Sequence, residues 1–229
     1  MLIEKNLQSV LGEIAKGNDR GEEITLVGAT KTVPVEVINL AIKKGLKVVA
    51  ENKVQEFNLK HDLICGAEQH FIGHLQTNKV KYVVGKVSLI HSADSLHLCK
   101  AISDCAIKNG VVQNVLLEVN IGKELTKSGF MPEDIYNAYI GAKNFNGIKI
   151  KGLMAMLPPS DDEKLLSALC LQMRRFFDTI RDRDDNFKFL SMGMSADYRI
   201  AVKNGSNMIR LGSYLFGKRD YGDINNGVI

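Results

Sequence analysis

The chain has no tryptophan, only four prolines and only four cysteines in 229 residues. None of Cys65, Cys99, Cys105 and Cys170 sits in a C-x-x-C pair, and their separations fit neither a zinc ribbon nor a dithiol redox motif. Free, mostly buried thiols in a reducing compartment are the expectation. No apolar run approaches the roughly 20 residues that a membrane span requires. The N-terminus turns polar at Glu4 and Lys5, unlike a secretory signal, so the chain is read as cytoplasmic and without a membrane partner. Charge of one sign is lacking too: 30 Lys and Arg against 26 Asp and Glu leave a net +4, scattered along the chain. With neither a basic stripe nor an aromatic-rich binding motif, no nucleic-acid partner is expected. His70 and His74 are four apart but straddle a strand end, with no third histidine or carboxylate to complete a site, so no metal is expected. His61 and His97 read as exposed helix residues, and 182–185 as a solvated loop.

What is present is a repeating unit. Leu7, Val10, Leu11 and Ile14 fall at i, i+3, i+4, i+7 and predict an opening amphipathic helix. A short apolar run at 24–27 then leads into Gly28-Ala29-Thr30-Lys31, and its β-branched content reads as a strand buried on both faces. Pro34 suits the start of a helix over 35–44, with Gly45 at its C-terminal end. Further strands are predicted at 47–50, 69–72, 88–91, 114–119, 148–153, 187–191 and 208–211. Between two pairs of them lie helical faces such as Leu98, Ala101, Ile102, Cys105 and Leu166, Leu169, Cys170, Met173. Strands alternating with helices imply parallel βαβ units. About eight of them fit an α/β chain folded as a single (β/α)8 TIM-type barrel preceded by an N-terminal helix, one domain over 1–229. A doubly wound open sheet is the alternative and would normally use fewer strands.

In such a barrel, functional groups gather at the C-terminal ends of the strands. Those ends carry Thr30-Lys31, Glu51-Asn52, Gly73-His74, His91-Ser92, Met192-Gly193-Met194-Ser195 and Arg210-Leu211-Gly212-Ser213. A lysine at the end of a buried strand loses solvation, which disfavours its charged form, and the neutral amine attacks carbonyls. Lys31 therefore suits a Schiff base, or else snorkels its head to the solvent. Gly193-Met194-Ser195 and Gly212-Ser213 fall after strands seven and eight, where barrels often hold phosphate, although Gly and Ser also serve tight turns. Together with Lys31 they suggest an aldehyde-bearing phosphate such as pyridoxal 5′-phosphate (PLP). Arg210 would donate to a pyridine nitrogen and discourage its protonation; its plainer role is a surface ion pair.

Several ordered motifs carry a resemblance. They are Gly28-Ala29-Thr30-Lys31-Thr32, Glu51-Asn52-Lys53-Val54-Gln55-Glu56, His70-Phe71-Ile72-Gly73-His74-Leu75-Gln76-Thr77-Asn78-Lys79 and Lys127-Ser128-Gly129. Lys151-Gly152-Leu153-Met154-Ala155, Ser191-Met192-Gly193-Met194-Ser195 and Arg210-Leu211-Gly212-Ser213-Tyr214-Leu215-Phe216-Gly217 complete the set. The sequence resembles the pyridoxal phosphate homeostasis proteins, single-domain relatives of the alanine racemase barrel, from about Leu26 to Tyr221. The resemblance implies that Lys31 carries PLP, that Asn52 lies close to it, that Ser195, Gly212 and Ser213 hold the phosphate, and that Arg210 faces the ring nitrogen. Ala50 and Lys53 stand where Gly and Tyr are usual, and Ser213 stands where Thr is common but keeps the hydroxyl.

Racemases of this barrel borrow a tyrosine acid/base from a second, β-rich domain, which Tyr221-Gly222-Asp223-Ile224 and the last residues cannot build. Tyr198 and Tyr214 are the tyrosines that could stand near the mouth. The expectation is a non-catalytic protein that buffers PLP or delivers it to apo-enzymes. A weak racemase or another Schiff-base enzyme using Lys31 is the alternative, and a docking module a third reading.

Overall fold

The computed structural model describes residues 2–217. Eight parallel strands close into a barrel in chain order. They are β1 (Thr25–Ala29), β2 (Val48–Glu51), β3 (Glu68–Phe71), β4 (Leu89–Ala93), β5 (Gln113–Val119), β6 (Ile148–Ala155), β7 (Phe189–Ser191) and β8 (Met208–Leu211). The helices are α1 (Leu2–Ile14), α2 (Val35–Lys43), α3 (Val54–Lys60), α4 (Leu96–Lys108), α5 (Ile135–Lys143), α6 (Glu163–Arg181), α7 (Tyr198–Lys203) and α8 (Ser213–Phe216). The alternation predicted from the sequence is therefore a (β/α)8 barrel with a leading helix, and the open sheet is excluded by the β1–β8 pairing, in which Val27 stands opposite Arg210.

Burial explains the placement of these elements. Leu7, Val10 and Ile14 of α1 pack on Ile24, Leu26, Ile38 and Leu46, so the predicted apolar stripe closes the seam where β8 meets β1. Each fully buried side chain of this size contributes about 1.5–3 kcal/mol. A second layer lies between the strands and α3 to α7, with Phe57, Phe71, Phe177 and Phe187 among its largest members. Inside the barrel, Val27, Val48, Leu89, Leu116, Met154 and Met208 form a small apolar plug. Side-chain caps fix two helix starts: Ser95 Oγ accepts from the Leu98 amide at 3.2 Å, and Asp162 Oδ1 accepts from the Lys164 and Leu165 amides at 2.9 and 3.1 Å.

Several strand ends differ from the sequence reading by one to a few residues. β1 runs on through Gly28 and Ala29, which pair with Val49 and Ala50, so ladder bonding carries the strand past its apolar run. β4 does not end at His91 but continues through Ser92 to Ala93, opposite Leu117. Its inward residue is a histidine, which ends the apolar pattern without ending the strand. After β3 the chain returns through a 3-10 helix, Thr77–Tyr82, a connection for which the sequence named no helix. His61 lies in another 3-10 turn, half-buried, with Nδ1 3.0 Å from Gln69 Oε1, so it is not the exposed helical residue expected.

Candidate functional site

Lys31 follows β1 by two residues and keeps the parity of Val27 and Ala29, the residues that face the barrel interior. The backbone around it is clamped from outside the barrel. Thr30, fully buried, donates its hydroxyl to Glu51 Oε1 at 2.8 Å, and its amide donates to Ala50 O at 2.9 Å. Lys60 Nζ, on α3, reaches Thr30 O at 3.0 Å, Glu51 Oε1 at 2.8 Å and Glu56 Oε2 at 3.0 Å. Glu56 in turn accepts from the Thr32 amide at 2.7 Å, with Thr32 at φ 62°. Hydrogen bonds thus seize the chain on both sides of Lys31. Nothing in the sequence pattern singles out Lys60, which reads as one more exposed helical lysine.

Asn52 lies just beyond β2, next to β1 in the barrel. Its Oδ1 is buried without a hydrogen-bond partner among the described residues. Its own carbonyl is the reason for Gly73: a Cβ there would come within 1.9 Å of Asn52 O. On the other side of β1, Arg210 lies on β8 and Gly212 and Ser213 follow it. The loop after β7 is stitched to this strand, since Arg210 donates its amide to Gly193 O at 2.9 Å and the Tyr214 amide donates to Ser195 Oγ at 3.2 Å. Gly193 holds φ +97° and packs against Tyr198 and Ala201, which leaves no room for a side chain. At Gly212 the nearest atoms to an added Cβ are Ala29 O at 3.4 Å and Ala29 Cβ at 3.5 Å, so the protein's own packing does not demand a glycine there. Four neighbouring strands, β7, β8, β1 and β2, therefore bring Ser195, Arg210, Gly212, Ser213, Lys31 and Asn52 to one rim.

Arg210 is not the surface ion-pair residue its plainer reading suggested. It is 5% exposed, and its guanidinium donates to Ser191 Oγ at 2.6 Å, Ser191 O at 3.0 Å and Ala155 O at 3.0 Å. Burial brings it down to about 10, against the pull of Glu118 and Asp197. Glu118, inward on β5 and 3% exposed, is pushed up to about 7 by burial and by Asp94, with Arg210 opposing. His91 and His70 also face inward and are hydrogen-bonded to each other at 3.0 Å. Burial depresses both, His91 well below the ordinary imidazole range. A polar residue at interior parity within an apolar run was the signal for Glu118 and His91. Only the pleat of a closed barrel shows which side they take.

Other expected residues lie elsewhere. Tyr198 is buried between α7 and α1, its hydroxyl donating to Glu13 Oε2 at 2.7 Å. Tyr214 packs edge-on against Tyr198, 5.7 Å between centroids. Both side chains are engaged at the α1 seam, with Glu13, Arg199 and each other. His74 is exposed, with Nδ1 3.1 Å from Asp94 Oδ2, and is split from the buried His70. Asp184 accepts from Tyr139 at 2.7 Å and faces Lys143, so the 182–185 segment is partly tied down. Tyr221-Gly222-Asp223-Ile224 lies outside the described residues. All four cysteines are free, and no group of three metal-type ligands occurs among the described residues. No described helix is long and apolar enough to cross a membrane. A cavity of about 870 Å³ opens at the opposite, N-terminal end of the barrel and is lined by none of the rim residues.

A parallel eight-stranded barrel with a lysine after β1 and glycine–hydroxyl loops after β7 and β8 defines a class. The chain belongs to the alanine racemase N-terminal domain family, whose model matches residues 28–220. Its resemblance in fold to an alanine racemase of Clostridium difficile has a TM-score of 0.75 at 19% identity, over 96% of this chain and 58% of that one. Within the family it stands with the pyridoxal phosphate homeostasis proteins: it is 42% identical to the one from Aquifex aeolicus over 95% of this chain and 98% of that protein. PipY of Synechococcus elongatus, whose structure has PLP bound, superposes with a TM-score of 0.82 at 28% identity, covering 94% of this chain and all of that one.

Proposed function

We propose that this chain is a PLP-holding protein of intracellular PLP homeostasis, that residues 1–229 act as one domain, and that Lys31 carries the cofactor as a Schiff base. The observation that carries the reading is the single rim formed by the loops of β7, β8, β1 and β2. Lys31 follows β1 and the glycine–hydroxyl segments follow β7 and β8, in a chain whose relatives bear the PLP name, which supports the reading. The residues fit the group. Asn52 Oδ1 is a buried acceptor awaiting a donor, and the open face of Gly212 admits close approach of a ligand to the backbone. When bound, PLP supplies an electrophilic aldehyde on an electron-withdrawing ring. Lys31 supplies the amine; Ser195, Gly212 and Ser213 supply hydroxyl and backbone donors for a phosphate; Asn52 lines the cofactor's edge. Arg210 is a donor-only group, so it favours an unprotonated ring nitrogen and a weaker electron sink.

Buffering or delivery to apo-enzymes fits better than turnover. Two-base racemisation needs an acid/base on each face of the substrate, and the tyrosines the sequence offered are bound to α1 and its neighbours. The rival reading, a weak racemase or other Schiff-base enzyme, draws on Glu118, a buried carboxyl near neutral pKa. The test is the visible spectrum of the purified protein before and after borohydride reduction, with peptide mapping of the adduct. The expected result is a pyridoxyl group on Lys31, absent in Lys31→Ala. Labelling elsewhere, or no uptake, overturns the reading. Amino-acid turnover that is lost with Lys31→Ala would replace the holder with the enzyme.

A further inference from the structure

A chain of polar side chains crosses the inside of the barrel where apolar residues would otherwise fill the space. Arg210 Nη1 donates to Ser191 Oγ at 2.6 Å. Ser191 Oγ lies 3.3 Å from His91 Nδ1, and His91 Nε2 lies 3.0 Å from His70 Nδ1. His70 Nε2 faces Glu68 Oε2 at 3.6 Å, long for a hydrogen bond but within electrostatic reach, at the wall of the N-terminal cavity. Ser191 and His91 are fully buried, and His70 is 3% exposed.

The proton order along this chain follows from its first member. A guanidinium only donates, so Ser191 Oγ accepts from Arg210. The serine proton then needs a buried acceptor, and among the described residues His91 Nδ1 is the one in reach. His91 Nδ1 therefore carries no proton, and its Nε2–H donates to His70 Nδ1. His70 in turn carries its proton on Nε2, toward the Glu68 carboxylate. Every donor points from the rim toward the opposite face, and both imidazoles are neutral. Burying two imidazoles at 3% and 0% exposure costs desolvation that a leucine pair would avoid, so filling space does not account for them.

We propose that His91 is a positioning residue for the cofactor site, fixing the Arg210 guanidinium through Ser191 while His70 fixes His91. The proposal rests on the reading of the rim as a PLP site. It assigns to His91 the task of denying Ser191 any other orientation, so that Arg210 stays a rigid donor at the floor of the rim.

Two measurements test this. Histidine side-chain ¹⁵N–¹H spectra of the cofactor-free protein are expected to show His70 and His91 both as neutral Nε2–H tautomers throughout the neutral pH range. An Nδ1–H tautomer or a cationic ring at His91 overturns the proton order and with it the proposal. In the second, His91→Leu and Ser191→Ala are loaded with PLP. Both are expected to shift the absorbance maximum of the bound cofactor and to raise its dissociation constant roughly tenfold, the size expected when a buried hydrogen-bond partner is lost. Ser191→Ala removes a single oxygen and carries the test if His91→Leu fails to fold. Variants that take up PLP with the wild-type spectrum and affinity overturn the role given to His91. A wild-type protein that takes up no PLP is a different result, which overturns the reading of the rim itself.

Discussion

Replacing Lys60 by methionine keeps the length of the side chain and removes the cation that gathers Thr30 O, Glu51 Oε1 and Glu56 Oε2 within 3.0 Å. Glu51 is 3% exposed, and its Oε1 pairs with Lys60 Nζ at 2.8 Å. Breaking a buried ion pair by deleting one partner costs about 3–5 kcal/mol. Two features reduce that: the Lys60 side chain is 13% exposed, and Glu51 Oε1 keeps the Thr30 hydroxyl. An expected loss of about 3 kcal/mol corresponds to roughly 1 M in urea midpoint at a slope of ~3 kcal/mol/M. Urea unfolding followed by circular dichroism reads it, and the double variant Lys60→Met, Glu51→Gln should recover more than half by removing the stranded charge. The clamp also fixes the chain on both sides of Lys31, so the single variant should hold PLP less tightly under conditions where it is fully folded. An unfolding midpoint within about 0.1 M of wild type would refute the reasoning, because the network would then be solvated and energetically idle.

Two pH effects of opposite sign follow from carboxyls at the two ends of the molecule. Glu118 is held at about 7 in the folded chain against an ordinary 4.5, so the folded state binds its proton more tightly; that contribution is full below 4.5 and is lost as the pH rises to 7. Glu118→Gln should therefore be more stable than wild type at pH 8, by up to about 3 kcal/mol, and nearly equal to it at pH 4. An equal difference at both pH values in urea titrations would exclude the buried carboxyl as the cause. At Glu22, burial raises the carboxyl, but the hydrogen bonds from Arg174, Asn18 and Arg181 outweigh it and hold it at about 2. Its contribution is present above 4.5 and is lost as the pH falls toward 2. Arg174→Met, which deletes the buried guanidinium bonded to Glu22, Asp178 and Gly205 O, should lower stability at pH 7 and flatten the acid decline; an unchanged acid limb would refute the assignment.

Much of the architecture follows from the sequence by itself. Apolar runs at 24–27, 47–50 and 208–211 are short, β-branched and separated by helical stripes, and a chain with that alternation can bury both strand faces only in a parallel α/β fold. The residues after each run, Lys31, Asn52, Ser195, Gly212 and Ser213, then fall at one end of the barrel because parallel strands share a direction. Tertiary structure decided what periodicity could not carry. Closure of β1 on β8 put Arg210 inside, where the residue's plainer reading from sequence was a surface ion pair. The tyrosines at 198 and 214 went to the α1 seam, because α1 comes from the far end of the chain to cover it. Lys60 and Glu56 became a clamp only when α3 was laid beside β1 and β2. His91 and His70, two of the chain's five histidines, became a bonded pair only when β3 and β4 faced them into one closed interior. Strand and helix are local consequences of side-chain pattern, whereas which polar groups meet is set by ring closure, a property of all eight strands at once.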